Sequence, residues 1–120
     1  MIIREIFNRV DNFKSSEWGN EQKLEWINAL ESEIYNDVVL THENPDNITY
    51  TEHETDNESV IAPDRFCDMY IFYLLMQIDL FNGDLNRYNA DAALYMEKRN
   101  TFNAWYNRTY TPKQITQISY

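Results

Sequence analysis

Two glycines and three prolines in 120 residues leave little of the punctuation that a many-turned sheet protein requires, so the chain starts as an all-helical candidate. A single cysteine, Cys67, excludes an intramolecular disulfide, and Phe66, Met69 and Tyr70 around it suggest a small buried hydrophobe. No apolar run approaches the length of a membrane span. The opening MIIREIFNRVDNFK breaks its apolar residues with charges where a signal peptide needs an uninterrupted stretch, so the chain is expected to remain in the cytoplasm. Basic residues are also scarce. Ten stand against twenty acids, and the formal charge of -10 opposes adhesion to a phosphate backbone.

The length fits one core and one domain. Ile3, Ile6, Phe7, Val10 and Phe13 recur three and four apart, which predicts an amphipathic helix of about three turns ending at Lys14, Ser15 and Ser16. Asn20 is placed to cap a second helix, from Glu21 to about Val39, whose stripe is Leu24, Ile27, Leu30 or Glu31, Ile34, Tyr35 and Val38, widened by Trp26. From Thr41 to Ala62 the pattern collapses into a long loop that contains no Lys or Arg. Loops of this length are either functional or disordered, and Ile48 to Thr51 carry extended-chain propensity.

Pro63 and Asp64 suit the start of a third helix. Its circumference is almost wholly apolar, as for a helix central to a core or covered by a partner. Gly83 stands where a left-handed C-cap is expected and Asp84 where the next helix begins, so the third helix and a fourth, from about Leu85 to Tyr106, form a hairpin. Pro112 opposes continuation, and residues 113–120 are expected as a frayed tail or an extended C-terminal arm after a helical domain of residues 1–112. The expected architecture is all-α: one bundle of about four helices, an acidic loop and an arm.

Chemistry-bearing patterns are sparse. His42 and His53 lie in the polar loop beside Glu43, Glu52 and Glu54 and are expected to be solvated, with no metal and no cofactor. Glu31, Glu33 and Asp37, or Asp79 with Asp84, read as water-facing helix charges, so no catalytic residue is assigned and no enzyme is expected. Tyr70, Tyr73, Tyr88, Tyr95, Trp105, Tyr106 and Tyr110 exceed what a small core can bury completely, so some are expected half-exposed, either as core phenols that reach the surface or as anchors of a contact. Tyr50, Tyr73, Trp105, Tyr106, Ile115, Ile118 and Tyr120 are the candidate contact residues.

Pro63-Asp64, Met69-Tyr70-Ile71-Phe72-Tyr73-Leu74, Gln77-Ile78-Asp79, Asn82-Gly83-Asp84, Arg87-Tyr88-Asn89 and Trp105-Tyr106-Asn107-Arg108-Thr109 occur in this order. Val10-Asp11 and Lys23-Leu24 with Trp26 precede them. The series resembles the small head-to-tail connector proteins of tailed phages and prophages of Gram-positive bacteria, also called adaptor or head-completion proteins. The resemblance spans nearly the whole chain and is loosest in the acidic loop and the last residues. It implies a virion protein at the head–tail interface, a homo-oligomeric ring, commonly dodecameric, docked under the portal. Its other partner would be the next connector or a tail-completion protein, and packaged double-stranded DNA would pass through without sequence-specific binding. Residues of the loop or arm would order on a neighbour or on the portal, and acidic side chains would line the channel. A second class of function is an acidic DNA mimic that blocks a nucleic-acid-binding enzyme.

Overall fold

The computed structural model describes residues 1–14 and 18–113. It contains four α-helices, α1 (Ile3–Phe13), α2 (Asn20–Asp37), α3 (Cys67–Phe81) and α4 (Leu85–Thr109), with 3-10 turns at Val39–Thr41 and Asp64–Phe66. Among the described residues there is no strand, only isolated antiparallel bridges between Ile2 and Ser59 and between His42 and Pro112. The all-α, four-helix reading of the sequence therefore holds.

The apolar stripe of α1 is fully internal: Ile3, Ile6, Phe7 and Val10 are all buried. Its first amides, orphaned by the geometry of any helix start, are satisfied by the loop that follows α2. Ile3 N–H donates to the Glu58 carbonyl at 2.9 Å and Arg4 N–H to the Asp56 carbonyl at 2.8 Å. The loop thus caps a helix more than fifty positions earlier.

In α2, Trp26, Ile27, Leu30 and Ile34 face the core. Gly19, not Asn20, occupies the cap position, and no side-chain cap bond forms there. Asn20 is instead the first helical residue, which corrects the expected boundary by one position. Lys23 is buried and is neutralised by Asp11 of α1 at 2.6 Å.

Pro63 precedes the 3-10 turn, and α3 proper begins at Cys67, slightly later than the sequence suggested. Its apolar circumference is used: α1 and α2 cover one side and α4 runs along the other. Cys67 is buried, and burial pushes its thiol pKa up. The helix ends in a Schellman motif, in which Asp84 N–H donates to Asp79 C=O and Gly83 N–H to Leu80 C=O. Gly83 carries φ +77°, where a Cβ would be strained. Asp84 then caps α4, accepting from Arg87 N–H at 3.1 Å.

The 25 residues of α4 extend to Thr109, past the expected Tyr106, and bury only Tyr95, Arg99, Phe102 and Tyr106. The fold measures 52 × 31 × 23 Å. After α4 the chain turns back along the end of α2, where Glu43 N–H bonds Thr111 C=O at 2.7 Å and Lys113 N–H bonds Thr41 C=O at 2.9 Å.

Candidate functional site

The acidic loop is held from beneath by a buried polar cluster. Glu31 of α2 is completely buried, although it was expected among water-facing carboxylates. It falls between Ile27 and Ile34 on the inward stripe, which places it in the core, where it requires donors. They come from three places: Tyr70 OH at 2.8 Å, His53 Nε2 at 3.0 Å and Ile61 N–H at 2.9 Å. Tyr70 OH in turn accepts from Ala62 N–H at 3.2 Å.

His53 is likewise buried, which corrects its expected exposure. Its Nδ1 meets Glu58 at 3.1 Å, so the ring lies between two carboxylates. The hydrogen bond to Glu31 raises its pKa above the ordinary histidine value despite burial. Glu58 is held down to about 2, first by Thr55 N–H, then by His53 and Glu54 N–H. Asn28 completes the clamp: its amide donates to the His53 carbonyl at 2.9 Å and accepts from His53 N–H at 2.8 Å. Tyr50 OH also donates to Asn28 Oδ1 at 2.8 Å, and burial followed by the charges of Glu31, Glu52 and Glu58 pushes the phenol up to about 12. A polar pocket of about 380 Å³ opens beside Tyr50, His53 and Glu58.

His42, the other loop histidine, is buried too, again contrary to the expected exposure. It bridges the end of α2 to α4, with Nδ1 2.6 Å from Val38 C=O and Nε2 2.7 Å from Asn107 Oδ1. The two histidines therefore serve as internal cross-braces. Among the described residues no three His, Cys, Asp or Glu side chains gather as a metal ion would require, and no helix is long and apolar enough to cross a membrane.

A second acidic pair lies between α3 and α4. Asp79 is buried and ion-paired with Lys14, just past the end of α1, which corrects its reading as a water-facing charge. Burial and a hydrogen bond to Asp79 raise the Asp91 pKa to about 7, while burial of Asp79 is outweighed by its bonds to Asp91 and Lys14, which lower its pKa.

Several large apolar side chains lie at the surface. At the Gly83 end of the molecule Trp18, Trp26 and Phe81 pack as a triangle with ring centroids 5.6–5.8 Å apart. Phe81 stays 57% exposed, with Leu80 and Leu85 on either side of the turn at 40% and 62%. Phe13, 69% exposed, belongs to the same end because the adjacent Lys14 pairs with Asp79. Sequence periodicity placed Phe81 and Leu85 on helices but gave no sign that the tip would stay bare.

Of the sequence-based contact candidates, Tyr73 is half-buried against Tyr95, with centroids 5.3 Å apart. Tyr50 is half-buried in the loop clamp. Trp105 lies half-exposed in an aromatic cluster with Phe66, Phe102, Tyr106 and Tyr110. Tyr106 is only 2% exposed and presents no surface; it stacks on Tyr110 at 4.4 Å and meets the His42 ring edge-on at 4.9 Å. Ile115, Ile118 and Tyr120 lie outside the described residues. The structure thus gathers Trp105 and Tyr106 in one cluster and leaves Tyr50 and Tyr73 apart from it. Comparison of the chain with protein-family models, with curated proteins and with solved structures finds no match.

Proposed function

We propose that this chain is a non-enzymatic connector subunit, forming a ring that joins the portal of a DNA-filled phage capsid to the tail or to the next connector. The observation that carries the reading is the bare apolar tip. A 52 Å subunit with Phe13, Leu80, Phe81 and Leu85 exposed together at one end carries the mark of a docking surface, since isolated soluble domains rarely leave such a cluster uncovered. The order of short motifs along the chain, with its resemblance to small phage connectors, gives the reading its class. The charge of -10 supports passage of DNA without sticking, because like charges within about 8 Å reinforce one another at physiological salt. On this reading the subunit works in the host cytoplasm during assembly and resides in the virion neck.

The test is to mix the purified protein with the portal of the phage or prophage that encodes it and to image the product by electron microscopy. A ring on the portal is expected, and Phe81→Ser with Leu85→Ser should abolish docking while helical content stays unchanged. Capture of a nuclease or another nucleic-acid-binding enzyme, with no portal bound, would replace this reading by the DNA mimic.

A further inference from the structure

A groove of about 430 Å³ runs between the 3-10 turn with the start of α3 and the outer face of α4. Its floor is Phe66, Met69 and Trp105, and its rim carries Arg65, Lys98 and Arg108. The Arg65 guanidinium lies 5.0 Å from the Phe66 ring centre and 4.8 Å from that of Trp105. In so acidic a chain this concentration of cations is unusual. Five of the ten Lys and Arg residues are ion-paired (Arg4, Lys14, Lys23, Arg87 and Arg99), and of the five without a carboxylate partner among the described residues three converge here. Asp68 is the one acid in the lining.

The complementary surface is on the same molecule. His53 is drawn inward by Glu31 and Asn28, and Glu52 and Glu54 on either side of it are both exposed. Neither is ion-paired among the described residues. Within one copy, no ion pair among the described residues joins Glu52 or Glu54 to Arg65, Lys98 or Arg108. The loop is also clamped to α1 and α2.

We infer that the groove receives the Glu52–Glu54 edge of a second copy, making a head-to-tail contact of the kind that closes into a ring. This rests on the connector reading and names the lateral contact it needs. Arg65 and Arg108 meet the two carboxylates, and Trp105 packs under the loop backbone between them.

Two exposed-site variants separate donor from acceptor. In one, Arg65→Gln, Lys98→Gln and Arg108→Gln neutralise the groove; in the other, Glu52→Gln and Glu54→Gln neutralise the loop. Circular dichroism first verifies that both remain helical. Sedimentation equilibrium at about 1 mM protein and low salt should show wild-type association that weakens as screening increases. Each variant alone should be monomeric, with association at least about 100-fold weaker, and an equimolar mixture should stop at a one-to-one dimer because only one intact groove faces one intact loop. A monomeric wild type, association of either variant like wild type, or a mixture that stays monomeric would overturn the inference. Portal capture by wild type is scored separately. If capture persists without groove–loop association, this contact falls and the connector reading stands; if wild type also fails to capture the portal, both fall. A groove variant that loses portal capture while wild type is monomeric would assign the groove to the portal.

Discussion

Replacing Glu31 by Ala removes the acceptor on which three buried donors converge. His53 Nε2, Tyr70 OH and Ile61 N–H all approach its carboxylate within 3.0 Å, and the Glu31 side chain has no solvent exposure. Breaking a buried ion pair from one side costs about 3–5 kcal/mol, because the surviving partner stays buried without compensation. Set against a typical domain stability of about 5–15 kcal/mol, that is a large share. At about 4 °C per kcal/mol for a chain of this size, the melting temperature should fall by about 12–20 °C. Urea unfolding followed by circular dichroism and by tryptophan fluorescence gives the free energy directly. Glu31→Gln, which keeps the shape and one acceptor oxygen, should lose roughly half as much.

The pH dependence is specific. The folded pKa of His53 lies above its ordinary 6.5, so the stability contributed by protonated His53 is complete below that value and disappears as pH climbs through the higher folded one. The penalty of Glu31→Ala should therefore shrink at alkaline pH. A loss under about 1 kcal/mol, or a penalty that grows with rising pH, would refute the account of the loop clamp.

Carbon-13 NMR of the carboxyl groups should find Asp91 titrating near 7, and an Asp91 titrating near 4 like an ordinary aspartate would reject the account of this pair. Because that folded pKa is raised, its stabilisation is present at low pH and is lost as pH rises toward 7, so Asp91→Asn should stabilise the protein at pH 8 and have less effect at pH 5. Gly83→Ala, at φ +77°, should cost about 1–2 kcal/mol in urea unfolding, and a neutral result would remove the left-handed cap from the argument. Tyr106→Phe should be neutral or slightly stabilising in thermal melts, since its buried hydroxyl has no hydrogen-bond partner among the described residues; a loss above about 1 kcal/mol would contradict this.

The helices were legible because their apolar residues follow a helical period. Ile3, Ile6, Phe7 and Val10 announce α1, and Ile27, Leu30 and Ile34 announce α2. The hairpin was legible through one residue, Gly83, followed by a capping Asp84. The loop was not. Its anchors are contacts between residues 22 to 30 positions apart, Glu31 with His53 and Ile61, and nothing local distinguishes a glutamate that will be buried from one that will face water. Only its position between Ile27 and Ile34 held a clue. The groove was half legible: Lys98, Thr101, Trp105 and Arg108 share one face of α4 by spacing alone, but Arg65 joins them only through the register of the hairpin. Ile115, Ile118 and Tyr120 lie beyond the last described residue, Lys113.

The short pairing of residues 41–43 with 111–113 has a mechanical consequence. Tension drawn along the chain past Lys113 first loads its bond to Thr41 and then that between Glu43 and Thr111, and so passes into the end of α2 before it reaches the last turn of α4. The backbone is cleated at this point, so a pull from outside is shared by two helices and cannot simply unwind one.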